Sequence, residues 1–443
     1  MRTASFTLSL LLALASTLPA AAQTREEKVR ADRLKIQEDG FWIYNDLPRA
    51  FAEAKRANKP MIVVLRCVPC EECVKLDDDL VDKDPVLRPL LDQFVRVRQV
   101  STNGLDLGLF QYDTDQSFAV FFLNGDGTIY GRFGTRSHRT EWLKDVSVQG
   151  LAEAMKGALA LHEQFPAVKS SLAGKRGEPL EVASPELYPA LKDKFTNKLN
   201  FEGNVVRSCI HCHQIGEAQR AFYTDQDKTI PEHILYPFPH PKDIGLILDP
   251  HRKADVLEVA PGSPAANAGL KEGDQIVSLN GQPMLSIADV QWVLHRTPPE
   301  GGRVQVALRR GGDDKQLDLD LKANWRRAGD ISWRVTSWTY RRMVTGGLKL
   351  EPAPPETRQA LQLGEGQMGL LVNYVGQYGP HAAAKQAGFR KGDVILSYDG
   401  RTNLMTDSDL LAYGIMNWRP NEKFPVVIAR DGKRQTLELP FQK

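Results

Sequence analysis

The sequence predicts a multidomain chain: an α/β domain, a small, mostly α segment, and two α+β domains that repeat one another. Three observations carry this reading. At 443 residues the chain is too long for one ordinary core. Its first half alternates apolar strand-like runs with helical stretches. Its C-terminal half contains one long motif twice. The apolar fraction of 42% and the charged fraction of 25% belong to a soluble globular protein. A formal net charge of +2, with no basic run, excludes nucleic acid as a partner.

The N-terminus reads as a cleaved secretory signal over residues 1–22. Arg2 precedes an apolar run from Phe6 to Leu18, and Ala20-Ala21-Ala22 offers a small-residue cleavage site before Gln23. The run is short for a membrane span, and no later segment is long and apolar enough to make one. The expectation is an exported, periplasmic protein. Residues 23–40 form a charged N-terminal segment.

Residues 41–166 are expected to be the α/β domain. An amphipathic helix over 47–58 stops at Lys59-Pro60, and Met61 to Leu65 is a buried strand. Phe94 to Val100 alternates as a strand does. Phe118 to Leu123 and Thr128 to Phe133 flank the hairpin signal Asn124-Gly125-Asp126-Gly127. A closing helix follows over 148–163. Residues 167–242 are weakly patterned, and 223–243, rich in Pro and His, read as linker-like. The repeat then fills 243–325 and 326–443. Ser263-Pro264 through Gly273-Asp274 to Asn280-Gly281 matches Gly379-Pro380 through Gly392-Asp393 to Asp399-Gly400. In each copy a helix follows, Ala288 to His295 and Asp407 to Tyr413.

The five cysteines fall into two tight clusters, not the scatter of a disulfide framework. Cys209-Ile210-His211-Cys212-His213 is the CxxCH of covalent haem attachment. Two thiols three residues apart reach the two vinyl groups of one porphyrin edge, and the adjacent His213 lies under the iron. One haem c is expected, held by Cys209 and Cys212. His240, between prolines, and His233 are the local candidates for a distal ligand. A zinc site completed by His211, His233 or His240, or a simple disulfide, stands beside this reading.

Cys67-Val68-Pro69-Cys70-Glu71-Glu72-Cys73 holds two overlapping CxxC pairs at a strand-to-helix junction. That setting lowers the pKa of a first thiol and lets a second resolve a mixed disulfide. With Lys59-Pro60 before the strand and Leu76-Asp77 after the cysteines, residues 41–165 resemble the thioredoxin-like domains of periplasmic proteins. The resemblance implies that Cys70 and Cys73 are the active pair and Cys67 an extra cysteine. Two departures stand out: no proline in Asp115-Gln116-Ser117-Phe118, and Pro69 in place of an aromatic residue. The expected activity is thiol-disulfide exchange, with metal binding or no chemistry as the rivals.

The repeat resembles PDZ domains. The resemblance implies that Ile244-Gly245-Leu246-Ile247 is the loop whose amides bind a peptide carboxylate, beside a strand edge that takes the peptide by β-augmentation. Gly346-Gly347-Leu348-Lys349 is the counterpart in the second copy, with Met368-Gly369-Leu370 as a rival. No Gly-x-Ser-x-Gly elbow or room for a Ser-His-Asp domain is seen, so a serine protease is not expected. Taken together, the order of domains is similar to the thioredoxin/PDZ (seleno)protein family of exported bacterial proteins. The resemblance implies a periplasmic redox protein, a possible thiol-disulfide oxidoreductase, in which the PDZ pair recruits protein or peptide C-termini and a further redox protein is a partner. The alternatives are a non-enzymatic PDZ scaffold and a haem-based sensor.

Overall fold

The computed structural model describes residues 24–66, 84–136 and 146–443. The signal segment, the first cysteine cluster and residues 137–145 therefore lie outside the described residues.

The chain opens with α1 (Arg25–Asp39), capped by Thr24 and Glu27 and closed by Gly40 in the left-handed region. Then come β1 (Ile43–Tyr44), α2 (Leu47–Ala57), β2 (Met61–Arg66), β3 (Val95–Gln99), β4 (Gln116–Leu123), β5 (Ile129–Arg136) and α3 (Val148–Glu163). The sheet order is β1-β3-β2-β4-β5. β1, β3 and β2 run parallel, while β4 and β5 are antiparallel additions. The residues of β2 are all buried, which explains the unbroken apolar run from Met61 to Leu65. α3 packs Leu151, Met155 and Ala158 on one face of the sheet with Phe122 and Tyr130. The expected order of strands and helices in this domain is the observed one.

The segment after α3 is made of short turns and one longer helix, α4 (Cys212–Thr224). The linker expected over 223–243 is a packed segment instead. Ile230, Leu235 and Tyr236 join the core of the second repeat, so the prolines there shape a buried path.

The first repeat contains β6 (Leu246–Leu248), β7 (Val256–Val259), β8 (Gln275–Leu279), β9 (Gln282–Pro283), α5 (Ile287–Arg296), β10 (Gly302–Arg310) and β11 (Asp313–Leu321). Its sheets are β6-β7 and β11-β10-β8-β9. The second contains β12 (Leu348–Pro352), β13 (Leu370–Val375), β14 (Val394–Tyr398), α6 (Asp407–Met416), β15 (Lys423–Arg430) and β16 (Lys433–Pro440), in one antiparallel sheet of order β12-β13-β14-β15-β16.

The first repeat docks on the α/β domain through α5. Asp289 accepts from Arg132 N at 3.1 Å and pairs with buried Lys175 at 3.0 Å. Trp292 donates its indole N–H to Gly174 O and lies 3.9 Å from the Arg132 guanidinium. Buried Lys175 thus has the Asp289 carboxylate and the buried Arg132 guanidinium has the Trp292 face, and each contact offsets part of the cost of removing that cation from water.

Candidate functional site

The CxxCH turn is pinned to the carboxyl end of β3. Past Gln99 the chain turns through Ser101, Thr102 and Asn103, all buried. Asn103 Oδ1 accepts from Ile210 N at 2.8 Å, and its Nδ2 donates to Thr196 O and Ser208 O. Thr102 Oγ1 donates to Ile210 O at 2.8 Å. The short helix Val205–Ser208 before the motif is held from α1, whose Glu26 carboxylate accepts from Val205 N and Val206 N.

Cys209 ends that short helix and is 6% exposed, its Sγ 4.0 Å from Val100 O. Burial pushes its thiol up to about 12, only partly offset by a hydrogen bond from Ser101, so it is a protonated, quiet thiol in this packing. Cys212 is the first residue of α4 and packs against the core that contains Leu65 and Phe121; Tyr112 donates its hydroxyl to Cys212 Sγ at 3.1 Å. Both are free thiols, not a disulfide. His211 and His213 stack nearly parallel with ring centroids 5.8 Å apart. Burial first, and His213 second, lower the pKa of His211.

Two free thiols across a helix start, followed by a half-buried imidazole, form a donor set that fits a c-type haem chemically. Among the described residues no group of three or more His, Cys, Asp or Glu could hold a metal ion. His211, His233 and His240 are not brought together around the thiols. His240 is buried in the turn that enters the first repeat. Its Nδ1 accepts from Lys242 N, and its own N–H donates to Asp243 Oδ2. His233 faces a different cavity, shared with His295 and Arg220. Cys67, Cys70 and Cys73 lie outside the described residues, beyond Arg66, which is buried and paired with Asp32 of α1 at 2.8 Å.

One group of residues at this end of the sheet has no signal in the sequence. Asp115, in the stretch where a proline was expected and missed, accepts from Thr336 at 3.2 Å and from Arg334 at 3.1 Å. Arg334 also reaches Asp113 at 2.8 Å. Arg220, on the inner face of α4, lies 4.0 Å from Asp115 and donates to the Tyr340 hydroxyl. Burial alone would depress the Arg334 pKa, but the two carboxylates hold it above its ordinary value. The partners are more than 100 residues apart in sequence, beyond the reach of local pattern.

The loops expected from sequence to bind a peptide carboxylate sit where the two repeats begin their edge strands. Ile244 is buried, and Gly245 has φ +76; a Cβ there would lie 2.2 Å from Ser263 Cβ, so only glycine fits. Leu246 and Ile247 then start β6, which pairs only with β7. In the second copy Gly346 and Gly347 have φ +62 and +92, and Leu348 starts β12 at the edge of its sheet. A Cβ on Gly347 would meet His381 O at 2.0 Å. The rival Met368-Gly369-Leu370 leads into β13, which has strands on both sides.

Comparison with known proteins agrees with this architecture. A thioredoxin-like family model matches residues 42–125, and a PDZ-domain model matches residues 242–321 and 350–441. The chain thus has a thioredoxin-like domain and two PDZ domains, with the CxxCH segment between the matched stretches. It is 34% identical over 149 residues to the periplasmic pH-dependent serine endoprotease DegQ of Escherichia coli (strain K12), covering 34% of this chain and 29% of that protein. It is 33% identical over 149 residues to the periplasmic serine endoprotease DegP of the same strain, covering 34% and 27%. The chain spans less than a third of the length of these relatives. Among solved structures, the HtrA3 PDZ domain bound to a phage-derived ligand matches with TM-score 0.14 and 30% identity over 16% of this chain and 65% of that one. The HtrA-type protease AlgW with tripeptide matches with TM-score 0.22 and 17% identity over 42% and 58%.

These relatives correct the enzyme class expected from sequence. The expectation set the chain apart from serine proteases and allowed a thiol-disulfide oxidoreductase, whereas the curated relatives named are serine endoproteases. The likeness covers about a third of the chain, and the thioredoxin-like domain is not a protease domain. The absence of a protease signature in the sequence was uninformative about kinship because a shared domain need not include the catalytic one.

Proposed function

We propose that this is a periplasmic protein-binding protein whose PDZ domains capture the C-terminal end of a partner polypeptide. The observation that carries this is the pair of edge strands, β6 and β12, each entered through glycines in the left-handed region. Such a turn aims successive backbone N–H groups at one point, where a carboxylate is held, while the strand edge offers its unpaired groups to the incoming chain. The buried faces of β6 and β12 anchor both strands in their domain cores, so the edges are preformed and little ordering entropy is lost on binding. The periplasmic relatives support the location. Among the described residues no helix is long and apolar enough to cross a membrane.

The test is calorimetric titration of the full chain with peptides selected from a C-terminal display library, each as free acid and as C-terminal amide. Binding of the acid, weakened at least about tenfold by amidation, is expected from loss of a charged hydrogen-bond acceptor. Equal binding of both forms would remove the carboxylate role.

A second reading concerns the CxxCH turn and is favoured by its two free thiols. Cys209 and Cys212 would hold a covalent haem c, and His213 would be its protein ligand. When bound, the haem would supply one-electron chemistry at iron. Cys209 is nearly buried in the packed turn. Tyr112 and Asn103 then fix the turn against the sheet. Protein exported from a host with c-type maturation machinery should show a pyridine haemochrome spectrum and a mass gain of one haem that survives acid-acetone extraction. Unmodified mass, with a control cytochrome matured in the same host, would remove this reading.

A further inference from the structure

The carboxyl ends of β1 and β3 border a cleft of about 600 Å³, closed on its far side by residues 197–201. In open α/β sheets the space beyond the carboxyl ends of parallel strands is where ligands sit, and β1 and β3 are parallel here. Among the described residues that line this cleft are neither Cys209 and Cys212 nor the PDZ loops.

Its chemistry is specific. Gln99, the last residue of β3, is 5% exposed; its Nε2 donates to Ser101 O at 2.8 Å, while its buried Oε1 has no hydrogen-bond partner among the described residues. A buried acceptor left unmet is costly, so the site favours a ligand that donates a hydrogen bond. Tyr44 and Phe201 form an angled apolar wall, with ring centroids 6.4 Å apart and planes 58° apart. Arg33 covers the Phe201 ring at 4.2 Å, and the exposed amides of Gln37 and Asn197 stand at the rim, each both donor and acceptor. The start of α2 also opens here, with Asp46 accepting from Arg49 N to serve that helix end; its carboxylate stands in the lining with Arg33 and Lys198, so the wall carries both signs of charge and is not a purely cationic one.

A neutral ligand with a C–H face, several hydroxyls and a donor for Gln99 matches each of these features. We propose that the cleft binds a sugar, an N-acylated hexose being the smallest ligand to offer hydroxyls, an amide N–H and an apolar ring face together. An extended peptide matches less well, because β1 is only two residues long and gives no edge to pair along. The proposal is independent of PDZ binding; Asn103 lines the cleft and also holds the CxxCH turn, but the ligand contacts argued here involve neither Cys209, Cys212 nor His213.

The test is saturation-transfer NMR and calorimetry on the full chain with N-acetylglucosamine, and with tri-alanine as the peptide probe. The sugar is expected to receive saturation on its ring and acetyl protons. Phe201→Ala should weaken binding about tenfold, the worth of one stacked ring. Asn197→Ala, at an exposed position that leaves folding intact, should weaken it severalfold, with the thermal unfolding transition retained. No transfer to the sugar, undiminished binding in both variants, or binding of tri-alanine in place of the sugar would each overturn the proposal.

Discussion

His295 sits in the last turn of α5 with its ring stacked on Phe238, centroids 4.1 Å apart, and its Nδ1 accepts from Phe238 N at 3.3 Å. That hydrogen bond needs an unprotonated nitrogen. Burial, then the nearby Arg326, push its pKa well below 6.5. Because the folded value is depressed, the unfolded chain binds the extra proton first. The stabilisation is complete above pH ~6.5 and is lost as pH falls toward the folded value. We expect the denaturation midpoint to fall between about pH 6.5 and 5, and His295→Gln to flatten that dependence; an unchanged slope in the variant would contradict it. Little at this scale was legible beforehand. The sequence marks His240 as a ligand because it stands between prolines, but the structure uses its Nδ1 to cap a turn. A histidine's role is set by what surrounds it, and the surroundings of His240 and His295 come from other elements.

Among the elements, the repeat shows a device that recurs in both copies. Asp274 and Asp393 each close a Gly-Asp turn by accepting from the backbone of Lys271 and Arg390. Each then takes a paired contact from Nε and Nη2 of an arginine at a strand end, Arg310 or Arg430, whose Nη2 also donates to Gly269 O or Gly388 O. Burial alone would raise the Asp274 pKa, but the Arg310 hydrogen bond and charge hold it below its ordinary value. This stabilisation is present above about pH 4 and lost in acid. Arg430→Ala leaves the buried Asp393 carboxylate without its cation and should destabilise the second PDZ domain by roughly 1–3 kcal/mol, read as a lower denaturation midpoint. A midpoint within error of the parent would contradict this. The Gly-Asp turns were legible as a repeated spacing; the arginines were not, because pairing across strands depends on register. α1 was missed for another reason. It buries only Val29 and Ile36, so it has no apolar stripe to read, and it is held by its capping box and by contacts from Glu26 and Asp32.

Across the whole molecule the domains are joined by buried charge rather than by a flexible linker. Arg334, from the entry to the second PDZ domain, meets Asp113 and Asp115 of the thioredoxin-like domain, while Arg220 of the CxxCH helix lies against the same Asp115. Lys175, Arg132 and Asp289 join the first PDZ domain to β5. Removing one side of such a group strands the other in the interior. Arg334→Met should therefore lower stability by about 3–5 kcal/mol and loosen the second PDZ domain from the rest, seen as faster amide exchange in residues 330–345. Parent-like exchange there would show that the contact does not hold the domains together. The succession of a thioredoxin-like domain and two PDZ domains was legible because local pattern and the repeated motif specify it. The seams were not, because they pair residues more than 100 positions apart.

The central claim is that a partner's C-terminal end joins these sheets as an added strand. Hydrogen exchange of the full chain, with and without a saturating free-acid peptide, tests it most directly. Slower exchange confined to the amides of β6 or β12 is the predicted result. Unchanged exchange in both strands while the peptide is bound would contradict it.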